Sequence, residues 1–109
     1  MDKKIEELLD KQTGKVADLY DKTRQIVYES TGEPLTETLW AKLPSYCVGE
    51  NFVRLIPFKD HINIEAAAII HYKDELSGYK ITPKGMLQIF VGQEIPADIL
   101  NKIFKETLG

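Results

Sequence analysis

The chain has 109 residues, 43% of them hydrophobic and 28% charged, with a formal net charge of -3. That length fits one domain spanning 1–109, and the composition excludes wholesale disorder as well as linker-rich or collagen-like chains. Residues 1–37 carry nine acids against six bases while 38–109 carry eight of each, so the whole acidic excess lies in the N-terminal third. With no basic stripe, nucleic acid is not an expected partner.

The first thirty residues read as helix. Ile5, Leu8, Leu9, Gln12, Val16, Leu19, Tyr20, Thr23, Ile26 and Val27 recur at spacings of three and four, which lays them along one face. Thr13-Gly14 interrupts the pattern and allows either a kink or two helices. Thr31-Gly32-Glu33-Pro34 ends the segment, with Gly32 in the favoured position after a helix.

After Pro34 the period shortens towards two. Thr36 to Leu43 reads as a first strand, Tyr46-Cys47-Val48 as a second, and Phe52 to Phe58 as a third. Lys59-Asp60 is a tight connection into His61 to Glu65, where Ile62 and Ile64 point one way and His61, Asn63 and Glu65 the other. Ala67 to Leu76 returns to a helical pattern, and Lys80 to Gly85 reads as a loop. Met86 to Val91 is a further strand, and Pro96 opens a last helix at its N1 position. The predicted class is α+β: a single, mainly antiparallel sheet of about five strands with N-terminal, middle and C-terminal helices on one face.

Several segments resemble a known family. These are Trp40-Ala41-Lys42-Leu43-Pro44-Ser45-Tyr46, the run Phe52 to Glu65 with its Lys59-Asp60-His61 turn, and Glu75-Leu76-Ser77-Gly78-Tyr79-Lys80. Lys84 to Phe90 and the closing Ile95-Pro96 to Ile103 complete the set. In order and spacing the set is similar to the YdhG-like family of small bacterial domains. The resemblance implies an α+β domain. It also implies a frataxin-like iron chaperone that holds Fe(II) transiently and supplies iron–sulfur assembly proteins, with no ligand motif to transfer.

The residues themselves offer candidate sites. Asp2, Glu6 and Asp10 fall at i, i+4 and i+8, so their carboxylates line one helix face as hard oxygen donors, although Lys3, Lys4 and Lys11 lie beside them. Asp60, His61 and Glu65 form a second metal candidate. His61 and Glu65 stand about 13 Å apart along a strand, so a shared ion needs ligands from neighbouring strands. His71 and Glu75 are an i, i+4 pair, whereas two histidines and one cysteine are too few for a closed Cys/His zinc site.

Arg54, Lys59, Lys80 and Lys84 are candidates to converge with Gly85 on an anion. No nucleophile–base arrangement and no catalytic motif is present, so a non-catalytic protein is expected. Trp40 and Tyr46 are the candidate interaction residues: on an open sheet face they would form a partner or homodimer surface. The longest apolar run, Ala66 to Ile70, is far short of the ~20 residues of a membrane span, so no membrane partner is expected. The charged start at Met1 to Ile5 is unlike a signal peptide, and the single Cys47 cannot form an internal disulfide. Both suit a cytoplasmic location.

Overall fold

A computed structural model describes residues 1–109. The N-terminal region forms two helices, α1 (Lys3–Asp10) and α2 (Gly14–Ser30). The Asp2 carboxylate caps α1 by accepting from the Lys4 N–H at 2.8 Å, and the Thr13 hydroxyl caps α2 by accepting from Val16 N–H at 3.3 Å. Gly14 therefore begins a helix rather than interrupting one. At the far end, Thr31 turns the chain into extended backbone, and Gly32 is not left-handed, contrary to its expected role.

Six strands follow: β1 (Thr36–Trp40), β2 (Leu43–Val48), β3 (Asn51–Pro57), β4 (His61–Ala66), β5 (Lys80–Ile81) and β6 (Leu87–Phe90). They lie in the order β1-β2-β3-β4-β6-β5, and every neighbouring pair is antiparallel. The expected strand Thr36 to Leu43 is in fact the whole of β1, a two-residue turn and the first residue of β2. Ala41 and Lys42 both have positive φ, 49° and 68°, the geometry of a type I′ hairpin turn. Gly49, with φ 60°, opens the equally short turn from β2 to β3.

The middle segment differs from expectation as well. Ala67–Tyr72 is a 3₁₀ helix rather than an α-helix, and residues 73–78 continue as turns. Part of the expected Lys80 to Gly85 loop supplies the short edge strand β5, which raises the strand count from about five to six. The last helix, α3 (Ala97–Leu108), has Pro96 as its N-cap, one position earlier than expected.

Strand alternation divides the sheet into two faces. Tyr46, Val53, Leu55, Ile62, Ile64, Leu87 and Ile89 are buried beneath the helices. They pack with Val16, Tyr20 and Val27 of α2 and with Leu100, Ile103 and Phe104 of α3 in one core. Full burial of such side chains contributes about 1.5–3 kcal/mol each, which ties the sheet to the helical layer. The other face carries no helix. No helix is long and apolar enough to cross a membrane.

Candidate functional site: the uncovered face of the sheet

Cross-strand register arranges the uncovered face in rows. Thr38, Ser45, Arg54 and Glu65 are successive partners across β1 to β4. Beside them run Ile56, Asn63, Gln88 and Lys80, and next come His61 and Phe90. Polar residues thus occupy the middle of the face and aromatic ones its flanks.

Arg54 organises one flank. Its guanidinium lies 4.5 Å from the centre of the Trp40 ring and 4.0 Å from that of Phe52. Its Nε donates to the Ser45 hydroxyl at 3.2 Å, and another guanidinium nitrogen donates to the Glu65 carboxylate at 3.1 Å. The cation is therefore paired, hydrogen-bonded and sandwiched between aromatic rings. Trp40 nevertheless stays 59% exposed.

His61 organises the other flank. Its imidazole stacks between Phe58 and Phe90, at 4.7 and 4.6 Å between ring centres. Nδ1 meets the Asp60 carboxylate at 2.8 Å, while the Gln88 amide nitrogen lies 3.4 Å from Nε2 and donates to Asn63 Oδ1 at 3.1 Å. The Asn63 amide nitrogen in turn reaches the Met86 sulfur at 3.7 Å. Gln88 Oε1 is buried and has no hydrogen-bond partner.

Tyr46 does not belong to this face. It is fully buried on the helical side, where its hydroxyl is 2.8 Å from that of Tyr20 and its ring meets Tyr28 edge-on at 5.9 Å. The reason is parity: Tyr46 pairs with Glu37, whereas Trp40 pairs with Leu43, and these two cross-strand pairs point to opposite faces. Only Trp40 of the two expected interaction residues is exposed.

Tyr46 belongs instead to a polar cluster beneath β1. Arg24 Nε donates to Glu37 Oε2 at 2.6 Å, and the Asp2 N–H donates to Glu37 Oε1 at 2.7 Å. Burial pushes the Glu37 carboxyl upwards, but Arg24, the Asp2 N–H and the Tyr46 hydroxyl outweigh it and hold the group below the usual carboxyl range. Burial raises both Tyr20 and Tyr46 well above the ordinary phenol value. The cluster joins the start of α1, the middle of α2 and the first hairpin.

The remaining candidate residues are dispersed. Asp2 is engaged as the cap of α1, and Glu6 and Asp10 are exposed on that helix. Asp60 and His61 meet, but Glu65 is bound to Arg54. His71 contacts Glu106 at 3.0 Å rather than Glu75, since the 3₁₀ segment does not place residues i and i+4 on one face. No group of three or more His, Cys, Asp or Glu side chains is gathered closely enough to hold a metal ion.

Nor do the cations converge. Arg54 is neutralised by Glu65, and Lys80 lies across from Gln88 on the far edge strand. Lys84 and Gly85 border a groove of about 400 Å³ with Lys73, Phe52, Ile70 and the acids Glu50 and Glu65. The Gly85 N–H already donates to the Thr82 carbonyl, so it is not free for an anion. The φ of 89° explains that glycine as a turn residue.

Sequence reasoning missed the Arg54 clamp and the His61 stack. Their signal was present in the i, i+2 spacing of Phe52 and Arg54, and in the two-residue gap between Phe58 and His61 across a tight turn. No protein-family model, curated protein or solved structure matches this chain.

Proposed function

We propose that this protein is a non-catalytic binding module that presents the uncovered sheet face to a protein partner. The observation that carries the reading is the setting of Trp40, an exposed aromatic held in place by Arg54 on a face that also bears Phe52, Phe58, Met86 and Phe90. Aromatic residues, Met and Arg are the types enriched at protein interfaces, and Trp and Arg lead among the residues that dominate binding energy. The Arg54 charge is already satisfied by Glu65, so docking an apolar surface over it leaves no unpaired cation. A cytoplasmic location fits the lone unpaired Cys47.

A peptide library selected on the wild-type protein tests the reading. Enriched peptides should shift the emission of Trp40, the only tryptophan, and should lose at least tenfold in affinity for Trp40→Ala and Phe58→Asp. A library that yields no binder, or binders indifferent to both substitutions, overturns it.

Iron handover to an assembly partner, the activity that the resemblance implies, is the less supported reading. Its best remaining donors are the Asp60–His61 pair, two side chains where a held ion needs more. Anaerobic calorimetry with Fe(II), with Mg²⁺ and Ca²⁺ as controls, decides it: saturable heat specific to Fe(II) and lost in His61→Ala would restore the iron reading.

A further inference from the structure

The two edges of the sheet are built differently. One edge, β5, is only two residues long, carries Lys80 and is followed by Pro83, all features that discourage further strand pairing. The other, β1, has five residues, Thr36-Glu37-Thr38-Leu39-Trp40, with no lysine, no proline and no bulge. Its one charged residue, Glu37, faces the helical layer and is paired with Arg24.

Hairpin geometry identifies which main-chain groups β1 leaves open. A two-residue type I′ turn makes Trp40 and Leu43 a hydrogen-bonded pair, and alternation extends this to Thr38 with Ser45 and Thr36 with Cys47. The N–H and C=O groups of Glu37 and Leu39 therefore point out of the sheet. β1 has β2 as its sole strand neighbour, and no turn, loop or cap hydrogen bond reaches these four groups.

We propose that this edge pairs antiparallel with β1 of a second copy of the chain, joining two six-stranded sheets into one of twelve. A second copy is favoured because β1 is self-complementary about Thr38. Only the register centred there overlaps all five residues. It forms four main-chain hydrogen bonds between Glu37 and Leu39 of each copy, and it sets Thr38 beside its own mate. It also brings Trp40 over Thr36 of the second copy, an aromatic–β-branched pair of the kind that stabilises sheets. Sliding to a Glu37–Glu37 register would oppose like charges. The inference stands independently of the partner-binding reading, although a dimer would set two uncovered faces side by side.

Sedimentation velocity from about 1 µM to about 1 mM, the range expected for a small interface, tests the proposal. The mass should rise from monomer to dimer with concentration. Thr38→Lys, which places two ammonium groups at the symmetry axis, should stay monomeric throughout, with its far-UV circular dichroism unchanged. A second measurement uses Thr38→Cys in a Cys47→Ser background. A non-hydrogen-bonded antiparallel pair holds Cα atoms about 4.5 Å apart, within disulfide range, so mild oxidation should yield a covalent dimer. Lys80→Cys in the same background, at the guarded edge, should not cross-link. A protein that stays monomeric to the highest concentration, or a dimer that survives Thr38→Lys and does not cross-link through position 38, overturns the proposal.

Discussion

The guanidinium of Arg54 lies 4.5 Å from the centre of the Trp40 ring, although β2 separates the strands that carry them. Arg54 reaches across Ser45, to which it is hydrogen-bonded, and so fixes the orientation of an indole that is otherwise in solvent. Removing the cation frees the ring. Arg54→Ala should lower the fluorescence anisotropy of Trp40 and destabilise the fold by about 1 kcal/mol in urea titrations. Arg54→Lys should not restore the anisotropy, because an ammonium lacks the flat surface and forked donors of the guanidinium.

Trp40 and Tyr46, close in the sequence, should respond in opposite ways. Tyr46→Phe leaves the buried Tyr20 hydroxyl without its partner, a loss expected to cost about 1–3 kcal/mol. Trp40→Ala removes a side chain that is mostly exposed and should change stability by about 1 kcal/mol or less. Chemical denaturation of both variants checks the contrast, and the reverse ranking would contradict the two-face assignment.

Glu37 makes stability depend on acid. Its carboxyl is held below its ordinary value in the fold, so its contribution is complete above the unfolded carboxyl range and is lost as pH falls through the lowered folded value. Glu37→Gln should therefore melt below the wild type at pH 7, and the gap should close as acidification passes the lowered carboxyl value of the fold. At the alkaline end the sign reverses. Tyr20 and Tyr46 are raised above their ordinary value of 10.0, so their neutral forms stabilise the fold below that pH and the contribution falls away as pH climbs past it. Ultraviolet titration should show these two phenols ionising only as the chain unfolds.

The first hairpin carries a local cost. Ala41 and Lys42 both occupy left-handed backbone, with φ of 49° and 68°, where Asn and Gly are preferred. Replacing the pair with Asn-Gly should stabilise the protein by about 1 kcal/mol, read as a higher urea midpoint at unchanged slope.

The turn also explains how far the sequence could be read. Helical periodicity located α1, α2 and α3, and the Thr13-Gly14 break was visible because Thr is a good cap and Gly a poor helix interior. The alternation in His61 to Glu65 correctly separated Ile62 and Ile64 from His61 and Asn63. Reading Thr36 to Leu43 as one strand concealed the hairpin, because Ala41-Lys42 lacks the Asn or Gly that signals a type I′ turn. An unbroken strand would put Trp40 and Leu43, three residues apart, on opposite faces, whereas the turn makes them cross-strand partners on the same one.

By itself the sequence determined the α+β class, the order of the elements apart from the edge strand β5, and the buried faces of α1, α2 and β4, because burial periodicity is a local property written in consecutive residues. The tertiary structure alone decided that Tyr46 faces the helices and Trp40 the solvent. It also decided that Arg54 pairs with Glu65, and that Asp2, Glu6 and Asp10 stand apart from His61. These outcomes depend on register between strands. A period of two assigns alternate residues to two faces, but only the turns and the neighbouring strands establish which face is which.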